Sequence, residues 1–459
     1  MMTPESLTKI AAIVGDKNLL SDPADCWPYG YDSSRHHSAP EAVAFPDTHQ
    51  QVLEIVRQCN RDNIALVARG RGTGTTGATV PVRGGLVLSF ERMDRIIDID
   101  PDNRAIVVEP GITNQNLQDA AAEYGFFWPP DPTSAAYCTV GGNLAYNSAG
   151  PRAVKYGTPR ENVLGLRAVT GSGDEINTGV YTTKGVVGYD LTRLIVGSEG
   201  TLAIITQATL KLTPLQEAKR TMQAIYNNIN EAAKAVAQIM AQPMTPCALE
   251  FMDAKAIEMI RDYSRIELPR NAGAMLMIEV DGDKASIDIA VRRIHQAAHS
   301  AGLMEFKTAA TEDEVKQLWA TRKALSPALR TIAPKKINED VVVPVSRIPD
   351  LIAGLDSLAS RFGITIVNFG HAGNGNIHVN LLVDPEDAGQ MKNARQCLDE
   401  VFNLVLDLKG TLSGEHGIGM EKREFISREI DPVSLKLMKQ IKMQFDPQGI
   451  LNPDKIFPA

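Results

Sequence analysis

The sequence is poor in the residues that mark several common classes of protein. Its five cysteines stand singly, without metal or redox spacing, and their odd number suits a reducing compartment. No run of about 18 apolar residues occurs, so no membrane-spanning helix is predicted. The N-terminal segment lacks a basic stretch followed by a long apolar run, which argues against a signal peptide. We therefore expect a cytoplasmic protein, with peripheral contact at an inner membrane left open.

Clusters of positive charge are also missing. The chain has 47 Lys and Arg against 55 Asp and Glu, a net charge of -8, and no long basic run. Nucleic acid is therefore not an expected partner. The 459 residues, 44% of them hydrophobic, are enough for two or three domains with ordinary cores.

Histidine is scarce, since the chain has only eight, yet three stand close together near its end. One motif reads His371-Ala-Gly-Asn-Gly-Asn-Ile-His378, and a second reads Ser413-Gly-Glu415-His416-Gly-Ile-Gly. Two imidazoles and one carboxylate suit a divalent zinc, manganese or iron ion and leave coordination positions open for a substrate. We predict that His371, His378 and Glu415 bind such a metal. A glycine-rich turn with polar tips is the alternative, because a spacing of seven is not diagnostic.

A glycine-rich stretch in the first half reads Arg69-Gly-Arg-Gly-Thr-Gly-Thr-Thr-Gly77. Its four glycines allow tight turns, whose successive N–H groups form a nest for an anion such as a pyrophosphate. The stretch follows predicted strands at Ala42 to Phe45 and Ala65 to Ala68, with a helix between them that Thr48 caps. The pattern is neither a Walker motif nor a Rossmann fingerprint. A flexible surface loop is the alternative.

A further polar segment offers small side chains, amides and hydroxyls, which suit close approach by a large flat ligand: Thr139-Val-Gly-Gly-Asn143-Leu-Ala-Tyr-Asn147-Ser148-Ala-Gly150. Tyr156-Gly157 continues the same polar rim. Pro132-Thr-Ser134 ends a run too rich in proline for a helix, and Gly197-Ser-Glu-Gly200-Thr-Leu-Ala-Ile-Ile205 is a glycine turn that leads into a strand.

In this order, the motifs resemble a known family. Residues from about Pro40 to Leu212 resemble the flavin-binding domain of the vanillyl-alcohol-oxidase type. The C-terminal half, which adds Leu451-Asn452-Pro453-Asp-Lys455, resembles the D-2-hydroxyacid dehydrogenases: D-lactate, D-2-hydroxyglutarate and glycolate dehydrogenases. The resemblance covers nearly the whole chain. It implies an α+β fold with a two-part FAD-binding domain, 1–215 and 411–459, and an inserted α+β cap domain, 216–410, on an antiparallel sheet.

The resemblance also implies FAD as the cofactor. Non-covalent binding is predicted, because the glycine loop lacks the histidine to which some relatives attach the flavin, and Cys138 has no firm match to their second attachment point. The predicted FAD-binding residues are Arg69, Gly70, Arg71, Gly72, Thr73, Gly74, Thr75, Gly77, Pro132, Thr133, Ser134, Gly141, Gly142, Asn143, Asn147, Ser148, Gly150, Tyr156, Gly157, Glu199, Gly200, Ile204 and Asn452.

Arg322 is the candidate for binding a substrate carboxylate, because a planar guanidinium holds both carboxylate oxygens. The resemblance places an arginine in this helix, with Ser326 at the expected spacing of four. A family lysine falls near Lys336, with Lys335 as the alternative, and either could be a solvated surface charge. Asn376, between the two histidines, is predicted to hydrogen-bond the substrate.

These residues together predict a FAD- and metal-dependent oxidation of a D-2-hydroxy acid. D-lactate is favoured over D-2-hydroxyglutarate and glycolate. The metal would acidify the substrate hydroxyl, His416 would remove its proton, and the hydride would pass to N5 of FAD. The alternative, in which His416 is the ligand and Glu415 supports it, is barely separable by sequence, and the resemblance favours Glu415.

The electrons are expected to pass to an acceptor other than NAD. A quinone, a cytochrome, an electron-transfer flavoprotein and an iron–sulfur subunit all stay open, as does a homodimer. Two other functional classes stay open. A metal-dependent hydrolase would leave the glycine-rich half without a purpose, and a non-catalytic flavoprotein subunit would be expected to lack the predicted metal ligands.

Overall fold

A computed structural model describes residues 2–261 and 268–458, without the side chains of Arg330 and Thr331. The chain forms two compact units. Unit 1 contains the described residues up to Ala149, then Gly157–Leu215 and the residues from Glu415 onward, whereas unit 2 contains Gly150–Tyr156 and Gln216–Gly414. The sequence-based domain bounds were 1–215, 216–410 and 411–459.

Unit 1 begins with a four-stranded sheet built from short, buried apolar runs. The strand order is Leu19–Leu20, Ala42–Ala44, Leu86–Ser89 and Leu66–Arg69. The first pair is antiparallel and the other two pairs are parallel. The helix His49–Asp62 packs its buried apolar side chains into the same core and begins as predicted, because the side chain of Thr48 accepts a hydrogen bond from the Gln51 amide.

A second, five-stranded sheet in unit 1 is antiparallel throughout. Its strand order is Ile96–Asp100, Ala105–Val108, Ala203–Lys211, Val163–Thr170 and Glu175–Gly179. A short pair, Phe126–Phe127 with Thr213–Pro214, lies apart from it. The helices of unit 1 are Pro4–Val14, Pro23–Cys26, His49–Asp62, Asn114–Glu123, Val140–Tyr146, Leu191–Ile195, Ile426–Glu429 and Pro432–Phe445.

Unit 2 is organised on a seven-stranded sheet, and its antiparallel pairing confirms the prediction for the inserted region. The strand order is Leu303–Thr308, Ala218–Tyr226, Ala274–Gly282, Ala248–Asp253, Thr365–His371, Asn376–Val383 and Lys335–Val342. The helices are Ala153–Tyr156, Ile229–Ala241, Ala254–Ile260, Ile287–Ala298, Glu312–Ile332, Ile348–Phe362 and Ala388–Asp407.

The helix Glu312–Ile332 carries Arg322 and Ser326. It begins at a capping box, in which the Thr311 and Glu314 side chains satisfy each other's backbone amides. Buried Leu325 and Leu329 pack it into the core of unit 2. The capped first turn and the buried face of this helix fix the position of Arg322 relative to the sheet.

The absences noted in the sequence have counterparts in the described residues. All five cysteines are buried and free. Within the described part of the chain, no helix combines the length and apolarity needed to cross a membrane.

Candidate cofactor cavity and metal centre

The two predicted metal-binding histidines lie on one tight hairpin of unit 2. A one-turn 3-10 segment, Ala372–Asn374, joins the two strands, and Gly375 closes it at φ +74°. A Cβ atom there would lie 1.9 Å from the Val343 carbonyl oxygen, so only glycine fits. The register places His371 and His378 on one face of the sheet, with ring centroids 5.3 Å apart.

Glu415 directly follows a segment that is anchored beside these histidines. Asp340 lies opposite His378 in the sheet. Its carboxylate accepts hydrogen bonds from the Ser413 hydroxyl at 3.1 Å and from the Gly414 amide at 2.9 Å. Within unit 2, His371 and His378 therefore offer two neighbouring imidazoles, a donor type that suits a divalent ion, and Glu415 stays the predicted third ligand.

Glu250, a buried carboxylate that sequence analysis did not identify, is hydrogen-bonded to His371. Glu250 accepts a hydrogen bond from His371 Nδ1 at 2.6 Å and from Arg322 Nε at 2.7 Å. Burial alone would raise the pKa of Glu250, but the nearby charges of His371 and Arg322 hold it below its usual value. Arg322 is therefore not a solvated surface charge, and its guanidinium also lies 5.0 Å from the Phe369 ring centroid.

The remaining predicted substrate residues lie on neighbouring elements of unit 2. Lys336 Nζ donates to the Ser326 hydroxyl at 2.7 Å. Successive residues of a strand face opposite ways, so Lys335 lies on the other face. The amide nitrogen of buried Asn376 donates to the Val341 carbonyl at 3.1 Å, so this part of the side chain holds the hairpin in place.

One predicted strand was wrong in its extent. The apolar run at residues 341 to 345 predicts a strand, but the strand is Lys335–Val342 and a 3-10 turn, Val345–Arg347, follows. The Val343 amide still donates to the Gly375 carbonyl, whereas Pro344, which has no N–H, cannot extend the pairing and precedes the turn.

Unit 1 contains a cavity whose wall combines glycines, apolar side chains and a few polar ones. Seven of the predicted FAD-binding residues line it: Arg69, Gly70, Gly141, Gly142, Glu199, Gly200 and Ile204. At Gly70 a Cβ atom would lie 2.3 Å from the Thr139 hydroxyl, so glycine permits this close approach of two segments of the wall. The glycine loop and the later polar segments thus meet at one cavity.

The two arginines of the glycine loop have different surroundings within unit 1. Arg69 Nη1 donates to the Tyr31 carbonyl at 2.7 Å, so its charge braces the loop from within the protein. Arg71 lies outside the cavity wall, half-exposed, and pairs with Glu91 at 3.4 Å.

The other predicted FAD-binding positions also lie outside the wall of this cavity. In unit 1 they are Gly72, Thr73, Gly74, Thr75, Gly77, Pro132, Thr133, Ser134, Asn143, Asn147, Ser148, Gly157 and Asn452. Asn143 hydrogen-bonds Ser148 and Asn114, and Asn147 accepts from Thr158, so these amides hold the polypeptide together. Gly150 and Tyr156 belong to unit 2.

Several residues of the wall were missed by sequence reasoning. They are Ala68, Ala78, Thr79, Phe90, Pro110, Thr139, Ala145, Tyr146, Ile195, Ser198, Ala203 and Ile205. Most are small or apolar and look like ordinary core residues in the sequence. Thr139 offered a signal, since it is the helix cap of Val140–Tyr146 and precedes the paired glycines.

The loop that carries His416 is fixed against this cavity wall. Glu199 accepts hydrogen bonds from the Ile418 amide at 2.6 Å and the Gly419 amide at 2.8 Å. The Thr76 hydroxyl donates to the His416 carbonyl at 3.2 Å. Burial raises the pKa of Glu199 to about 7, although the two amides oppose this shift. Three motifs that are far apart in sequence therefore meet here.

Asn452 supplies an unsatisfied polar atom beside the cavity. Its amide nitrogen donates to the carbonyls of Ala78 and Glu199 at 2.9 and 2.7 Å. Its buried Oδ1 atom has no hydrogen-bond partner among the described residues. Buried acceptors are normally satisfied, so this atom points to a missing donor group. Together with the glycines of the wall, which let a flat ligand approach the backbone closely, it fits a bound flavin.

Two family models match the chain. The FAD binding domain model matches residues 40–179, and the model described as FAD linked oxidases, C-terminal domain, matches residues 215–456. The glycolate oxidase subunit GlcD of Bacillus subtilis (strain 168) is 38% identical over 458 residues, covering 100% of this chain and 97% of that protein.

The chain is also similar to a dehydrogenase in sequence and to a solved structure in fold. A D-lactate dehydrogenase of Archaeoglobus fulgidus is 36% identical over 437 residues, covering 93% of this chain and 95% of that protein. Among solved structures, p-cresol methylhydroxylase with substrate bound superposes with a TM-score of 0.79 at 18% identity, covering 98% of this chain and 96% of that one. At that identity the structural match speaks for the fold alone.

Proposed function

Because the chain belongs to the FAD-linked oxidase family, we propose that it oxidises a small D-2-hydroxy acid to the 2-oxo acid. D-lactate is the favoured substrate, with glycolate and D-2-hydroxyglutarate as alternatives. The metal-dependent hydrolase is not retained, since a FAD-linked oxidoreductase gives the glycine-rich half its purpose. The observation that carries the proposal is the loop at His416, whose backbone is hydrogen-bonded to Glu199 in the cavity wall.

The proposed roles follow from the chemistry of the side chains. Arg322 binds the substrate carboxylate through its terminal nitrogens, since its Nε already donates to Glu250. His416 accepts the proton of the substrate hydroxyl. His371, His378 and Glu415 would hold a zinc or manganese ion, which would bind and acidify that hydroxyl. Bound FAD would supply the acceptor for the C2 hydride, which carries both electrons of the oxidation.

Lys336 and Ser326 are the proposed source of discrimination between monoacids and diacids. Their mutual hydrogen bond places a cation near the helix that carries Arg322. A dicarboxylate would need a second cationic contact of this kind. We also propose that electrons leave to an acceptor other than NAD and that the protein is cytoplasmic.

A substrate screen tests the proposed reaction. The purified protein is mixed with an artificial dye acceptor and, in turn, D-lactate, glycolate, D-2-hydroxyglutarate and L-lactate. We expect the dye to be reduced with D-lactate, and kcat/KM should be greatest for this substrate. Activity with L-lactate equal to that with D-lactate, or no activity with any 2-hydroxy acid, would contradict the proposal.

FAD is expected to be bound tightly but without a covalent bond. The glycine loop contains no histidine, and Cys138 is buried against Asn143 outside the cavity wall, where burial raises the pKa of its thiol. Acid precipitation should therefore release the flavin into the supernatant. A pellet that stays yellow after washing would show a covalent link.

Replacing Arg322 with methionine is expected to raise KM for every 2-hydroxy acid. Methionine keeps a long, flexible side chain but removes the guanidinium, which lies over Phe369 and donates to Glu250. Loss of a charge-assisted hydrogen bond costs about 1.5–3 kcal/mol, or roughly tenfold and more in KM. The matched control is Lys323→Met, which removes an exposed charge from the next position of the same helix. Equal KM values for the two variants would count against the assignment.

A further inference from the structure

Glu250 lies between two proposed binding residues, His371 for the metal and Arg322 for the substrate carboxylate. It lies on the strand Ala248–Asp253, directly opposite His371 in antiparallel register. Its side chain is 1% exposed, and each of its oxygens has a different partner. Oε1 accepts from His371 Nδ1 at 2.6 Å, and Oε2 accepts from Arg322 Nε at 2.7 Å.

The contact with His371 defines how that ring can serve a metal. A neutral imidazole has one N–H donor and one acceptor nitrogen. Donation from Nδ1 to Glu250 makes Nε2 the acceptor nitrogen of the ring, the atom through which it would bind a cation. A carboxylate in this place also makes the ring a stronger ligand and fixes its orientation.

The contact with Arg322 defines how that guanidinium can serve a substrate. With Nε held by Glu250, the plane of the group is set, and its two terminal nitrogens form the remaining edge. Phe369 lies beside the guanidinium at 5.0 Å, and its ring is 5.8 Å from that of His378. Glu250 therefore orients both His371, a proposed metal ligand, and Arg322, the proposed binding residue for the substrate carboxylate.

We propose that Glu250 is a positioning residue that couples the metal site to the carboxylate-binding site. The proposal rests on the roles given above to His371 and Arg322. A carboxylate is required, because two donors face it and only a carboxylate accepts from both. A glutamine offers one acceptor and one donor, so one of the two partners would lose its hydrogen bond.

The test compares Glu250→Gln with Glu279→Gln in the FAD-loaded protein. Glu279 is a buried carboxylate on the same sheet. Its partners among the described residues include Trp319, on the same helix as Arg322, and also Thr221 and Lys219. Zinc affinity is measured by competition with a chromophoric chelator, and KM and kcat are measured for D-lactate at saturating zinc. We expect about 10–100-fold weaker zinc binding and a raised KM in Glu250→Gln, with both values near wild type in Glu279→Gln.

A double variant separates positioning from a general loss of structure. If Glu250 acts through Arg322, then adding Arg322→Met to Glu250→Gln should raise KM by less than it does in the wild-type background. Fully additive effects would overturn the coupling. Glu250→Asp, which keeps the charge but is one methylene too short for both partners, replaces Glu250→Gln if the latter fails to retain flavin, with the same expected direction.

The outcomes distinguish this proposal from the function on which it rests. Wild-type zinc affinity and KM in the Glu250 variants would overturn the role of Glu250 alone. A change in only one of the two quantities would overturn the coupling. A wild-type protein that binds no zinc or manganese would instead refute the metal site itself, and the proposal would fall with it.

Discussion

His416→Ala is expected to keep its FAD and its metal but to lose about 10²–10⁴-fold in kcat, the usual contribution of a general base. His416 stands in a loop whose backbone is held by Thr76 and Glu199. These contacts use main-chain atoms of the loop, so removing the imidazole should leave the loop in place. His295→Ala, at an exposed histidine of unit 2, is the control and should retain wild-type kcat.

The neighbouring variant Glu415→Ala should fail in a different way. If Glu415 is a ligand, its loss weakens metal binding, and added zinc or manganese should restore part of the activity. Metal content of the two purified variants is measured by elemental analysis. A metal-free His416→Ala together with a metal-loaded Glu415→Ala would show that the two roles are exchanged.

Removal of divalent metal is the second change with a large expected effect. A Lewis acid at the substrate oxygen contributes several kcal/mol to stabilising developing charge. Its removal should therefore lower kcat/KM by about 10²-fold or more. The protein is treated with a strong chelator, freed of it, and assayed before and after addition of zinc or manganese.

Two controls make the metal experiment specific. The flavin absorbance must stay unchanged during chelation, so that loss of FAD does not imitate loss of metal. His371→Ala and His378→Ala should not recover at metal concentrations that restore the wild type. Full activity of protein shown to be metal-free would contradict the prediction.

Much of the local structure followed from sequence patterns. Patterns of apolar residues predict the helix Ile348–Phe362 and the strand Leu86–Ser89 with the bounds that the structure shows. Both have continuous apolar signals and clear ends, so local preferences agree with the tertiary structure. The strand predicted at residues 341 to 345 ends earlier, because the apolar run contains Pro344, which has no N–H to donate to a neighbouring strand.

The cavity wall was predicted only where its residues are chemically distinctive. Gly70, Gly141 and Glu199 belong to motifs that are distinctive in the sequence, and all three line the cavity. Phe90 and Ile195 line it as well, but an apolar residue that faces a cavity has the same local pattern as one that faces a core.

By itself, the sequence determined the family, the flavin cofactor and the candidate residues of the reaction, because each motif is a short run of distinctive chemistry. The tertiary structure alone decided what holds those residues in place. Glu250 is 121 residues from His371 and 72 from Arg322. Their meeting depends on which strands pair and in which register, and non-local pairing of this kind leaves no mark within any one segment of the chain.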